Sequence, residues 1–288
     1  MSTIVLRHSP IALPNLVITP LNPTFAAEVE HIDLSRPQSE HTIATIKEAL
    51  VEHKLLVFRG QRITPAQQRD FAARFGPLHV HPLLTNDAEV EEIIVQSHDR
   101  SRPPEPDEWH TDVTFIETPP LGSILYGAII PETGGDTLFA DLAAAYAALS
   151  EPVRSLLHGL NATHDLAKGF RGSAYYGENN AKWDSARRDN PPVSHPVVRT
   201  HPESGVRSLF VNEGFTTAIE GLKTDESRTL LDFLFRHQAR PQFVYRHRWQ
   251  AGDVLFWDNR STQHMVVADY WPHHRRVHRA TILGDRPF

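Results

Sequence analysis

In the segment after residue 40, the apolar positions Ile43, Ile46 and Leu50 recur at the spacing of one helix face and predict a helix from Thr42 to Lys54. The unbroken apolar run LLVF that follows, ended at Gly60, predicts a buried strand. ITPAQQRDFAARFG carries stronger punctuation. Thr64 stands as N-cap, Pro65 at the first helical position, Gln67 completes a capping box, and Gly76 is the stop. Upstream, LVITPL reads as a short strand and residues 1–14 as a loose leader. Downstream the period changes. EEIIVQS, WHTDVTFIE, GSILYGAII and DTLFAD are short strand-like runs set apart by proline and glycine, the spacing of an all-β core. Asp141 and Ser150 each precede an Ala- or Leu-rich helical segment as N-caps, the second segment closing near Gly159. Residues 171–195 are polar with little periodicity and are predicted to form a long loop or lid. The rest of the chain alternates again: HPVVRTH and SLFVNEGF, a helix from Thr224 to about His237 with Leu230, Leu231 and Leu234 inward, then VYRHRW, DVLFWDN and VHRATIL as strands. Strand runs on both sides of a helical insert predict a mainly β fold with helices, a barrel or sandwich, in one domain over residues 1–288.

Composition narrows the function classes. The chain has a net charge of -6 and no dense basic block, so a nucleic-acid partner is not expected. It has no cysteine, which removes disulfides, zinc-thiolate sites and thiol nucleophiles and agrees with a reducing cytoplasm, where the protein is expected. Any metal must then rest on nitrogen and oxygen. The most apolar N-terminal stretch, IALPNLVI, is short and broken by Pro14, so neither a signal region nor a membrane span is expected.

Within EWHTDVTF, a strand period of two places His110 and Asp112 on one face and Trp109, Thr111 and Val113 on the other. A solvated surface pair would show the same pattern, so a third ligand is needed. His264, directly after the apolar strand in FWDNRSTQHMVVADY, supplies it. Two imidazoles and one carboxylate form the facial triad of non-haem Fe(II) oxygenases, which leaves coordination positions open for co-substrate and oxygen. In PHHRRVHRATIL the same period puts Arg275, Val277 and Arg279 on one face and Arg276 and His278 on the other. Two inward guanidinium groups each require an anion. A dicarboxylate co-substrate and an anionic substrate would supply them, while a solvated basic edge strand is the competing reading. His79 is a rival metal ligand on pattern alone, without a carboxylate in comparable framing.

WHTDVTF, GGDTLFA, HPVVRTHP, LFVNEGFTT, WDNRSTQH and HRATILGD, in this order between about Leu16 and Phe288, resemble the taurine dioxygenase group of the Fe(II)/2-oxoglutarate-dependent dioxygenases, the TauD/TfdA family. The resemblance implies a double-stranded β-helix, or jelly-roll, core with helices packed on it. It implies that His110, Asp112 and His264 are the iron ligands and that Thr137 and Arg275 clamp the distal carboxylate of 2-oxoglutarate, with O2 as the second co-substrate. It further implies that Arg279, His81 and the backbone of Val113 hold a substrate sulfonate between the aromatic walls Phe170 and Phe215. The implied reaction hydroxylates the carbon next to the sulfonate of taurine or a related aliphatic sulfonate and releases sulfite and an aldehyde. A homo-oligomer, dimer or tetramer, is implied as well. Three departures stand out. Leu84 replaces a tyrosine and Pro106 an asparagine, both partners of the taurine amine, and AAEVEHIDL lacks the glycines usual at that point. An apolar pocket receives an ammonium poorly, because desolvating an unpaired charge is costly. The alternatives are an alkyl sulfate ester or other small anion as substrate of the same chemistry, and a non-enzymatic jelly-roll module that binds anions through Arg275 and Arg279.

Overall fold

A computed structural model describes residues 16–105, 107–171, 173 and 180–288. The predicted leader and Pro106 therefore lie outside the described residues. The chain begins with β1 (Val17–Pro20), β2 (Ala27–Glu30), α1 (Glu40–His53), β3 (Leu55–Phe58) and α2 (Pro65–Ala72). There follow β4 (Leu78–His79), β5 (Ile93–His98), β6 (Gly122–Ile129), β7 (Thr137–Asp141), α3 (Leu142–Ala147), α4 (Glu151–Leu157) and β8 (Asn161–His164). Next come α5 (Leu166–Gly169), α6 (Ala181–Asp189), β9 (Val193–Pro196), β10 (Val198–Thr200), β11 (Arg207–Leu209), β12 (Thr216–Ile219) and α7 (Thr224–Gln238). The chain closes with β13 (Val244–His247), β14 (Val254–Asp258), β15 (Thr262–Val266) and β16 (Arg275–Ile282). The fold is mainly β with fewer helices.

The largest sheet runs β1-β2-β3-β14-β6-β16-β4, with β5 also paired to β16. All its pairs are antiparallel except β2 with β3. Its central strands are buried on both faces, which is why LLVF and VLFW read as unbroken apolar runs. Leu56, Phe58, Val254, Phe256, Ala280 and Ile282 face a core with Ile43, Ile46 and Leu50 of α1 and Phe71 of α2. The alternate positions Leu55, Val57, Leu255, Trp257 and Val277 face the other way, onto a second core that includes Phe139 of β7. That second core is shared with the three-stranded sheet β13-β7-β15. Arg275, Val277 and Arg279 alternate along β16 towards the space between these two sheets.

Helix starts follow the sequence signals closely. Thr64 and Gln67 form the reciprocal capping box, and Asp141 accepts from the amides of Ala143 and Ala144. Ser150 precedes α4 without a side-chain cap bond, and α2 stops at Ala72, before Gly76. On α7, Leu231 and Leu234 are buried and Leu230 is half-buried.

Two readings are corrected. WHTDVTFIE is not a strand: His110 makes an isolated bridge and residues 112–115 form a turn in which Val113 has φ 53°. A left-handed backbone at a β-branched residue ends any extended run. The span 171–195 is not a continuous loop either, since it contains α6 and the start of β9. Asn180 caps α6, accepting from the Trp183 amide, and Trp183 and Ala186, three residues apart, are the buried face of this otherwise polar helix. Residues 172 and 174–179 lie outside the described residues.

Candidate metal centre

His110 and His264 are direct cross-strand partners. The His110 amide donates to the His264 carbonyl at 3.0 Å and the His264 amide to the His110 carbonyl at 2.8 Å. Residues opposed in this way project side chains to the same side, and the two ring centroids are 4.2 Å apart. His264 lies in the middle of its own strand, β15, in register with Phe139, and not at the end of the preceding apolar strand.

Asp112 reaches the same place by a turn. The Asn259 side chain takes the role of a neighbouring strand, accepting from the Asp112 amide and donating to the Asp112 carbonyl, both at 2.9 Å. Thr111 Oγ1 donates to the Thr262 carbonyl, tying the same segment to β15. One donor atom from each of His110, Asp112 and His264 then lies within 4.8 Å of the others, a spacing that can hold a metal ion. Among the described residues this is the only such group, so His79 takes no part in one. His110 Nδ1 donates to the Glu108 carbonyl, and its other ring nitrogen, Nε2, lies 3.8 Å from Asp112 Oδ1. Gly214 makes the close packing possible: a Cβ there would come 2.9 Å from His110 Cβ.

Both oxygens of the buried Asp112 carboxylate are engaged, Oδ1 by Arg279 Nη1 at 2.7 Å and Oδ2 by Ser123 Oγ at 2.8 Å. Burial alone would raise its pKa, but the Arg279 guanidinium, with His264 and His110, holds it well below the usual carboxylate range. Burial, followed by its histidine neighbour His110, pushes His264 well below the ordinary histidine value. His81 is also pushed well down and His79 to about 4, in each case first by burial and then by Arg279. These imidazoles are therefore neutral near pH 7, with lone pairs available. The metal-free protein is expected to lose stability as pH falls from about 6.5 to about 4. In that window the unfolded chain binds protons that the folded chain refuses, so stability rises with pH. Thermal unfolding in chelator across the window checks this, and a flat midpoint would contradict it.

At the start of β16, Arg275 is 3% exposed, and its Nε and Nη2 are buried without a hydrogen-bond partner. Its guanidinium lies 5.7 Å from the Trp249 ring and 5.5 Å from the Tyr270 ring. Gly135, at φ 71°, keeps this space open, since a Cβ there would come 2.9 Å from Arg275 Cδ. Thr137 is fully buried, and its Oγ1 accepts from Trp249 Nε1 at 2.9 Å. A buried cation with two idle donors fits a carboxylate ligand.

On the other side of the triad the walls are apolar. Leu83, Val113, Phe115, Leu166, Trp183 and Phe215 cluster, with Phe170 packed against them. His81 stands 5.7 Å from the Phe170 ring and 6.2 Å from that of Phe115, and Phe215 stands 6.4 Å from His110. His81 Nδ1 accepts from the amides of Leu83 and Leu84, so its proton sits on Nε2 and can be donated. Leu84 is half-buried. The structure thus gathers His81, Val113, Phe170, Phe215 and Arg279 beside the triad, with Arg279 bonded to Asp112. The sequence reading did not single out Asn259, Ser123, Tyr270 or Trp249. Of these, only Asn259 carried a signal, as the asparagine of the WDN motif just before the third histidine.

Two imidazoles and a carboxylate beside an unsatisfied, buried arginine are the equipment of a metal-dependent oxidoreductase that takes a carboxylate co-substrate. The chain belongs to the family described as taurine catabolism dioxygenase TauD, TfdA family, whose model matches residues 18–281. It is 37% identical to the alpha-ketoglutarate-dependent sulfate ester dioxygenase of Pseudomonas putida, over 100% of this chain and 95% of that protein. It is 36% identical to the alpha-ketoglutarate-dependent 2,4-dichlorophenoxyacetate dioxygenase of Cupriavidus pinatubonensis, over 94% and 99% of the two chains. The crystal structure of a taurine dioxygenase from Burkholderia xenovorans superposes with a TM-score of 0.81 at 35% identity, covering 95% of this chain and 91% of that one. The protein is accordingly an oxidoreductase, a dioxygenase dependent on 2-oxoglutarate (alpha-ketoglutarate), and the reading as a non-enzymatic binding module is set aside. Among the described residues no helix is long and apolar enough to cross a membrane.

Proposed function

We propose that the enzyme hydroxylates the carbon next to the sulfonate of a small aliphatic sulfonate, using Fe(II) held by His110, Asp112 and His264, with 2-oxoglutarate and O2 as co-substrates. The observation that carries the substrate reading is the pairing of two donors beside the triad. Arg279 has its Nε unpartnered, and the buried His81 presents a protonated Nε2. Together they offer a cation and a neutral donor to one oxyanion, with the Val113 amide as a third donor. Phe170 and Phe215 face the substrate carbons. The apolar lining and Leu84 favour an uncharged tail over the ammonium of taurine, since burying an unpaired charge costs several kcal/mol, on the order of 3 or more.

Arg275 and the Thr137 hydroxyl take the distal carboxylate of 2-oxoglutarate. When the metal and both co-substrates are bound, the chemistry supplied is decarboxylation of 2-oxoglutarate to succinate coupled to insertion of one oxygen atom into a substrate C–H bond. The residues of the chain orient and shield. Arg279 and His81 anchor the head group so that the adjoining carbon faces the triad, and the aromatic walls keep water away from it. Hydroxylation at that carbon gives a hydroxysulfonate that collapses to an aldehyde and sulfite. A second reading, an alkyl sulfate ester, is favoured by the Pseudomonas putida relative and by the same apolar walls. Its hydroxylated product would release sulfate.

The same reading includes a double-stranded β-helix formed by the two facing sheets, one domain over the whole chain, and residues 171–195 acting as a lid through α6. It includes a cytoplasmic homo-oligomer, dimer or tetramer. Oxygen uptake with Fe(II), 2-oxoglutarate and a panel of butanesulfonate, taurine, an alkyl sulfate and a small carboxylate tests the substrate. Butanesulfonate is expected to give sulfite with kcat/KM at least about tenfold above that of taurine, a modest share of the desolvation cost. Sulfate from the alkyl ester as the dominant product would move the assignment to the second reading. Equal use of taurine would contradict the apolar-tail argument.

A further inference from the structure

Trp249, which follows β13 and is 8% exposed, touches both members of the co-substrate clamp without itself being one of them. Its indole N–H donates to Thr137 Oγ1 at 2.9 Å, while its ring lies under the Arg275 guanidinium. The indole is held in place from two other sides. The His247 ring meets it edge-on at 4.9 Å, and Gly127 leaves room for it, a Cβ at Gly127 falling 3.1 Å from the indole carbon Cε3.

A threonine hydroxyl has one proton and two lone pairs. An indole N–H can only donate, so its bond to Thr137 uses a lone pair and leaves the proton to point elsewhere. Among the described residues no group accepts that proton. The unpartnered Nε and Nη2 of Arg275 are idle donors on the same indole. All three are short of the same thing, an acceptor with several lone pairs.

We propose that Trp249 is a positioning residue of the co-substrate site: its N–H fixes the Thr137 hydroxyl as a donor towards the ligand carboxylate, and its ring face sets the plane of the Arg275 fork. A guanidinium over an aromatic face within about 6 Å is attracted to it, which restrains the fork before any ligand arrives. Preorganised donors cost less ordering when the ligand binds. The proposal rests on the reading that Thr137 and Arg275 hold the distal carboxylate of 2-oxoglutarate.

The test is calorimetric binding of 2-oxoglutarate to the Mn(II)-loaded protein without oxygen, so that no turnover is needed. Trp249→Phe keeps the ring and removes the N–H. It is expected to weaken 2-oxoglutarate binding about 3- to 10-fold, the worth of one hydrogen bond, with Mn(II) affinity unchanged. In a Thr137→Val background the same substitution is expected to cost less than about 2-fold, because the bond it removes is already gone. An equal loss in both backgrounds, or no loss in either, would overturn the proposal. Independently of any variant that folds poorly, the Trp249 indole 15N–H resonance of the wild-type Zn(II)-loaded protein is expected to shift on adding 2-oxoglutarate. No shift would also overturn it. Arg275→Met separates this idea from the one beneath it. If that variant binds 2-oxoglutarate normally, the clamp assignment itself is wrong. If it loses binding while Trp249→Phe does not, only the positioning role is wrong.

Discussion

Asp112→Ala is expected to lower affinity for Fe(II) or Mn(II) by more than about a hundredfold and to abolish turnover. Changes in the residues that merely support a ligand cost about 10- to 100-fold in metal affinity, and loss of the only carboxylate among the three proposed ligands is expected to exceed that. A second effect adds to the first. Arg279, 7% exposed, would lose the oxygen that its Nη1 meets at 2.7 Å. Its cation would then face an incoming divalent metal without compensation. Breaking a buried ion pair by removing one partner costs about 3 to 5 kcal/mol, so the metal-free variant is also expected to unfold at markedly lower urea. Metal titration by calorimetry and urea unfolding in chelator read the two effects separately. A variant that keeps metal affinity within tenfold would remove Asp112 from the ligand set.

Arg275→Met is expected to do the opposite to stability while still disabling the enzyme. The guanidinium is buried, its Nε and Nη2 have no protein partner, and burial pushes its pKa below the ordinary arginine value. Trp249 and Tyr270 stack near it, and burial outweighs the opposing influence of Tyr270, Asp107 and Asp136. A methionine of similar length removes that desolvation cost, so the metal-free variant is expected to be as stable as the parent or more so. Co-substrate binding should pay for this: truncating one side of a buried, hydrogen-bonded charge pair costs about 2 to 4 kcal/mol, roughly thirtyfold to thousandfold in the affinity for 2-oxoglutarate. Anaerobic binding to the Mn(II) form and thermal unfolding of the metal-free form provide the two numbers. A large loss of stability with normal co-substrate affinity would show that Arg275 is a structural ion and not a ligand clamp.

The two residues behave differently because one is satisfied by the fold and the other is not. Asp112 has Arg279, Ser123 and Asn259 bonded to it, whereas two of the three guanidinium nitrogens of Arg275, Nε and Nη2, are buried without a partner. Sites that carry such unsatisfied groups are where a ligand contributes to stability.

The apolar runs of β3 and β14 were legible because both faces of the central sheet are buried, and α1 and α2 because their caps and spacing are local. The candidate ligands were legible too, as residue types in ordered motifs. Their geometry was not. WHTDVTF alternates like a strand, yet a left-handed Val113 and the Asn259 side chain, which lies 147 residues away from Asp112 in sequence, turn it into a bridge followed by a turn. α6 was hidden because only Trp183 and Ala186 of its nine residues are buried, too few to leave a period.

By itself, then, the order of residues determined where the buried strands and the well-capped helices lie, which side chains could ligate a metal, and that Arg275 and Arg279 share one strand face. These follow from local sterics and from burial, and both leave a periodic trace in the chain. The tertiary structure alone decided that His110 and His264 face each other across a bridge, that Arg279 is bonded to Asp112 while Nε and Nη2 of Arg275 are buried without a partner, and that Trp249 links Arg275 to Thr137. Those relations depend on hydrogen bonds between segments far apart in the chain, and such pairings leave no period from which they could be read.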